Sequence, residues 1–319
     1  MKKIMIKVLL VMTACLLCGC GKGKDNSTGN TDQDSKQTTN QTEAVTFTDD
    51  LGNKITVDHP KKTAVLTGSY ADAWQLAGGV AAAVTKDAGD TIKVTNDMVI
   101  LGDLNHPNVE TMISEGIDFA ILSGAISDQV KLKDTLEKAG IPSAYFKVET
   151  FEDYARMMKI LTDITGKKEL YQKNVEDVSA EIKKQTDRAD ESHKTVLFLR
   201  AFSSGVKAQN SDSMTGHMLK DLGCINIADD EKSLLDNLSM EAIVQKDPDY
   251  IFVTTMGESE DAAIAMVDEL LTSNPAWNGL TAVKEKHYYV LPKALFHTKP
   301  NERWGESYQI LADYLYGKK

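Results

Sequence analysis

The sequence holds little cysteine, little histidine and no catalytic signature, and each shortage narrows what the chain can be. Of four cysteines in 319 residues, Cys15, Cys18 and Cys20 fall at the extreme N-terminus, leaving Cys224 alone in the globular part. No internal disulfide can form there, and Cys224, between Leu222-Gly223 and Ile225, reads as buried packing. The six histidines lack the short spacing of a bare zinc or manganese site. No GxGxxG follows a strand, and P-loop, GxSxG and HExxH patterns are missing. Ser203-Ser204-Gly205 and Ser211-Asp212-Ser213 offer hydroxyls, but nothing marks a partner base. The inventory favours binding over catalysis. Positive charge is short as well, because 36 Lys and Arg against 47 Asp and Glu give a formal charge of -11. So acidic a surface argues against nucleic acid as a partner.

What is present begins at the N-terminus. Lys2, Lys3 and Lys7 form a positive n-region, and Val8 to Leu17 is an apolar stretch shorter than the roughly 20 residues of a membrane span. The ending Leu17-Cys18-Gly19-Cys20 resembles the lipobox of bacterial lipoproteins. That resemblance implies a signal peptide over 1–19, cleavage after Gly19, and a lipid on Cys20. Loss of the three lysines would lower the charge to about -14. Residues 21–43 carry no large apolar side chain and cannot bury enough surface to offset ordering entropy. We therefore expect a flexible tether over 20–43, with about 275 residues left for two compact domains or one large one.

The globular part repeats itself. NVETMISEGIDFAIL (108–122) and SMEAIVQKDPDYIFV (239–253) both place a Glu eight positions before an Asp and close on an apolar run. Each reads as a short amphipathic helix bearing Glu110 or Glu241, a turn ending at Asp118 or Asp249, and a buried parallel strand. Around them, VTFTDDLGNKITV (45–57) reads as a hairpin, and strands are expected at Thr63–Thr67, Val99–Gly102, Phe119–Leu122, Ser143–Phe146, Thr195–Leu199 and Tyr288–Leu291. Helical segments alternate with them, the pattern of a parallel sheet covered by helices. Between the copies, Tyr171, Val175, Val178 and Ile182 line one stripe of a polar segment from Lys167 to Arg188. Some 22 residues at 1.5 Å each make a spine of about 33 Å. The division expected is an N-terminal lobe over 44–149, a connecting helical segment over 150–190, and a C-terminal lobe over 191–319.

The DDLGN hairpin, the two Glu-bearing units, the spine, NPAWNGLTAVKEKHYYVLP and FHTKPNERWGESYQILADYLY together resemble the substrate-binding lipoproteins of ABC importers for iron complexes, haem and cobalamin. The resemblance runs from residue 45 to the C-terminus. It implies an α/β fold of two Rossmann-like lobes, each a parallel sheet flanked by helices, joined by one long spine helix. It also implies no enzymatic activity, no permanently bound cofactor, and a ligand held between the lobes with modest closure. In that family one Glu on each lobe docks on arginines of the permease, and Glu110 and Glu241 match by position. Two exposed carboxylates a fixed distance apart can pair with two Arg forks and so set orientation. The partners implied are a permease with its ATPase, the membrane through Cys20, and a small metal chelate, for a monomeric extracytoplasmic protein.

Ligand-binding side chains belong on loops leaving the carboxyl ends of strands. The candidates are Tyr70, His106, Arg200, Phe202, Lys207, His297, Lys299 and Arg303, a mixture suited to a large, partly apolar ligand with acidic groups. Arg200, ending a buried strand, is the foremost of them. A ferric siderophore is the expected ligand. His106 and His297 keep haem open through axial ligation, and cobalamin stays behind it. Outside this class, a lipid-anchored metal-dependent enzyme and a surface adhesion module remain as rivals.

Overall fold

A computed structural model of the chain describes residues 44–257 and 259–318. The segments expected to be a signal peptide and a tether, with Cys20 between them, lie outside the described residues. Strands β1 (Val45–Thr48) and β2 (Lys54–Val57) pair antiparallel. Asp49 builds the turn between them: its Oδ1 accepts from the amides of Leu51 at 3.0 Å and Asn53 at 2.8 Å, and its Oδ2 from Tyr145 N at 3.1 Å. The DDLGN motif thus fastens the hairpin to the first lobe as well as reversing the chain.

That lobe contains β3 (Thr63–Val65), β4 (Ala81–Val84) and β5 (Val99–Ile100), and a small antiparallel pair, β6 (Gly102–Asp103) with β7 (His106–Pro107). It is completed by β8 (Phe119–Ser123) and β9 (Ser143–Phe146), and its main sheet runs β5-β4-β3-β8-β9, parallel throughout. The second lobe holds β10 (Thr195–Phe202), β11 (Gly205–Gln209), β12 (Ile225–Asn226), β13 (Tyr250–Thr255) and β14 (Tyr288–Val290). Its order is β11-β10-β13-β14, with β12 also against β10 and only β11 antiparallel. The expected α/β class is borne out.

Residues 200–207, expected as a cleft loop, are instead two strands joined by a tight reversal, with Phe202 opposite Gly205 and Arg200 opposite Lys207. The cause is period-2 patterning that continues past the turn: Val206 and Ala208 are buried while Lys207 points to solvent.

The repeat appears as two equivalent units. Helix Val109–Ser114 is capped by Asn108, whose side chain accepts from Thr111 N, and helix Met240–Lys246 by Ser239, which accepts from Ala242 N. The two Asp residues then do the same work. Asp118 accepts from the amides of Lys61 at 2.8 Å and Lys62 at 2.9 Å, just before β3. Asp249 accepts from the amide and the hydroxyl of Thr195, both at 2.8 Å, at the start of β10. Each carboxylate pins the first strand of its lobe to the strand that follows it in the sheet.

The connecting segment is a helix over Phe151–Thr165, a left-handed stop at Gly166 (φ 72°), and a second helix from Glu169 to Thr186. The second is widened to a π turn over Gln172–Glu176. The extra residue there lets two neighbours, Asn174 and Val175, both turn inward. Asn174 uses this to donate to Leu76 O at 2.9 Å, and its own carbonyl accepts from Tyr154 Oη at 3.2 Å. Beyond the helix, Arg188 joins Asp313 at 2.8 Å, tying the spine to the last helix, Trp304–Tyr316. Gly305 allows the close approach, since a Cβ there would meet the Glu181 carboxylate at 2.4 Å.

Three apolar cores result. The outward face of each sheet has its own. The third is continuous, running from Val65, Tyr70 and Trp74 of the first lobe through Val175 and Val178 of the spine to Phe198, Phe252 and Trp304 of the second. Among the described residues no helix is long and apolar enough to cross a membrane.

Candidate functional site

A cavity of about 290 Å³ lies between the lobes. Its first-lobe wall is made by segments that follow β3 (Thr67, Ser69, Tyr70), β4 (Asp87, Asp90, Thr91), β8 (Ser123, Ala125, Ile126) and β9 (Val148, Glu149), with Leu104 from the small hairpin. Its second-lobe wall, Lys293, His297, Thr298 and Lys299, follows β14. All these segments leave carboxyl ends of strands, where open α/β sheets bind ligands. A larger hollow of about 460 Å³ sits on the flank of the first lobe, between β2 and the helix Lys133–Lys138. It draws on one lobe only and on none of those loops, so the inter-lobe cavity is the candidate.

The floor of the first wall is held by Asp87. Its Oδ2 accepts from Gly68 N at 2.6 Å at the start of helix Gly68–Leu76, and Thr91 Oγ1 donates to Gly68 O at 2.7 Å. Only glycine fits at 68, because a Cβ would meet Asp87 O at 2.5 Å. The second Asp87 oxygen is buried without a partner. Tyr70, in the first turn of that helix, is buried and donates to Phe146 O at 2.9 Å, and burial holds its phenol well above the usual range.

The opposite wall is cationic. Lys299 reaches across to Glu149 at 3.2 Å, and Lys293 donates to Gly257 O at 2.5 Å. Behind them Arg200 is partly buried, with Nε unpartnered, and burial lowers its pKa. Burial, reinforced by Arg200, Lys293 and Lys299, pushes His297 down to about 4, so its imidazole is neutral at pH 7. Its Nδ1 is buried without a partner. One wall thus offers carboxylates and hydroxyls, and the other offers cations around a neutral imidazole.

Of the residues singled out from the sequence, Tyr70, His297 and Lys299 line the cavity, and Arg200 stands behind the last two. His106 is exposed on β7, on the side of Asp128, outside the lining. Phe202 ends β10, and Lys207 lies on β11 beside Leu234 and Leu238. Arg303 is exposed and paired with Glu306 at 2.7 Å on the outside of the last helix. Sequence reading missed Asp87, Asp90, Thr91, Glu149 and Lys293. Asp87 to Thr91 follow β4, whose Ala-Ala-Ala-Val carries little strand signal. Among the described residues, no group of three or more His, Cys, Asp and Glu could hold a metal ion. Burial pushes the Cys224 thiol up to about 12, so it is inert packing.

Two facing lobes, a shared spine and a cavity between them define a two-lobed solute-binding fold. The chain belongs to the periplasmic binding protein family, whose model matches residues 64–295. It is 23% identical over 312 residues, 91% of each chain, to the iron-uptake system-binding protein of Bacillus subtilis. The periplasmic catecholate-siderophore binding protein VctP of Vibrio cholerae shares the fold at a TM-score of 0.69 and 20% identity, over 86% of this chain and 99% of that one. IsdE of S. aureus, solved in complex with heme, does so at 0.67 and 17%, over 80% and 98%. The family expected from the sequence is borne out.

Proposed function

We propose that this chain is the extracytoplasmic receptor of an ABC importer for iron complexes, anchored by a lipid on Cys20, and that its ligand is an acidic ferric siderophore. The observation that carries the ligand class is the cationic wall of Lys293 and Lys299 lining the cavity, with the Arg200 charge close behind it. Partly desolvated cations bind carboxylate or catecholate oxygens more strongly than exposed ones do. The likeness to an iron-uptake binding protein supports the same direction. In this reading Glu110 and Glu241, both exposed in the second position of equivalent helices, dock on permease arginines.

Haem is the second reading, favoured by one observation: His297 is neutral, with a buried, unpartnered Nδ1 beside the cavity. Tryptophan fluorescence and absorbance, recorded as ferric catecholates, hydroxamates, citrate and haemin are added in turn, separate the two. Saturable siderophore binding with unchanged iron ligation is the expected result. A haemin spectrum with a protein-derived axial ligand, lost in His297→Ala, would replace it. Turnover of any of these compounds would restore the enzyme alternative.

A further inference from the structure

Exposed branched aliphatics are few among the described residues, and two of them fall on the same position of the repeat. Ile113, 51% exposed, follows Glu110 by three residues, and Val244, 43% exposed, follows Glu241 by three. Both helices otherwise divide their faces as expected. Met112 and Ile243 are fully buried, and Val109 and Met240 pack against the cores beneath them. Residues three apart share a helix face with about 5–6 Å between Cβ atoms, so each lobe presents a carboxylate and a branched aliphatic side by side. A single exposed aliphatic is ordinary. The same acid and aliphatic pair on both lobes is a pattern, and among the described residues no ion pair or side-chain hydrogen bond engages either Glu.

Resting on the docking reading above, we propose that Ile113 and Val244 are the apolar halves of a two-point docking surface for a two-fold symmetric membrane protein. That partner offers, at each point, an arginine beside an apolar surface. The two patches are equivalent, so the partner must present equivalent features twice, which a dimer of like subunits supplies. The carboxylates complement its cations and govern encounter and orientation. The aliphatics are desolvated on contact and govern residence time. Charge alone would give a contact that salt dissolves, whereas the aliphatic contact is unscreened.

The test compares the full-length chain carrying Ile113→Ser with Val244→Ser against the chain carrying Glu110→Gln with Glu241→Gln. Each is measured for binding to the permease and ATPase complex that restores uptake with this protein, held in lipid nanodiscs at low and high salt. Thermal midpoint and chelate affinity are recorded first and stay at wild-type values for both variants. The serine pair is expected to dock about tenfold more weakly, through faster release and equally at both salt concentrations. The glutamine pair is expected to dock more weakly and to lose the salt dependence. Wild-type docking by the serine pair, with the glutamine pair impaired, overturns the inference and leaves the docking reading standing. Wild-type docking by both overturns both. Weakening by the serine pair alone keeps the aliphatic surface and removes the carboxylates from docking.

Discussion

Lys299 and Glu149 meet across the cleft, the ammonium 3.2 Å from the carboxylate, although one belongs to the second lobe and the other to the first. Burial lowers the Lys299 pKa and Glu149 offsets part of that cost. An acidic ligand entering the cavity therefore competes with Glu149 for a cation that is already desolvated. Removing either partner should act on binding in opposite directions.

Lys299→Met is expected to weaken an anionic ferric chelate by roughly tenfold or more, the worth of one charge-assisted hydrogen bond. Glu149→Gln frees the ammonium and should tighten the same ligand. Fluorescence titration of both variants checks this, and equal affinities across the three proteins would remove the pair from ligand recognition.

His297 sets a pH dependence whose sign is fixed. Its folded value, about 4, lies below the ordinary 6.5. Above 6.5 the ring is neutral in both states. Between 6.5 and 4 the unfolded chain takes up a proton that the native one refuses, so stability falls with falling pH and levels off near 4. Asp72 and Glu302, raised chiefly by burial, act in the opposite sense as the solution becomes acidic. The difference between wild type and His297→Gln isolates the histidine, and melting curves from pH 7 to 4 should show a shallower loss in the variant. Parallel curves would contradict the assignment.

Asn301 is buried at φ 51° and donates to Ser69 O and to an Asp72 carboxylate oxygen, both at 2.7 Å, across the lobe boundary. Asn301→Ala leaves a partly buried carboxylate without that donor and should cost about 2–3 kcal/mol in denaturant unfolding. Asn301→Gly loses the same bonds without the left-handed strain, and is expected to be about 1 kcal/mol less damaging than Asn301→Ala. Equal damage from both would show that backbone conformation contributes nothing there.

The equivalent carboxylates Asp118 and Asp249 should differ in weight. The bonds of Asp118 are exposed and those of Asp249 partly buried. Asp118→Ala is expected to cost about 1 kcal/mol and Asp249→Ala about 2–3, since water replaces an exposed acceptor more cheaply. A reversed order, read by chemical denaturation, would undo this account.

The repeat was legible because helix capping, buried apolar runs and the strand-pinning Asp are local features with fixed spacing. The hairpin and the inward stripe of Val175 and Val178 were legible for the same reason. β4 escaped because three alanines carry no β preference, and with it went Asp87 and Thr91 on the loop it feeds. Glu149 escaped because its role depends on Lys299, 150 positions away, and no local period reports such a meeting. Lys207 and Arg303 were drawn toward the cleft by sequence proximity to it, whereas strand alternation and the Glu306 pairing turn them outward.

The continuous core carries a mechanical consequence. A hinge between two separately packed bodies can swing widely, but here the inner faces of both sheets and the spine share one apolar interior. Opening the cleft would mean sliding aromatic and aliphatic side chains past one another without admitting water, so only a small travel is expected. A chain cut within the spine would leave each half with a wet, unpaired face. The molecule should therefore melt in a single calorimetric step and grip its cargo more by rigidity than by clamping.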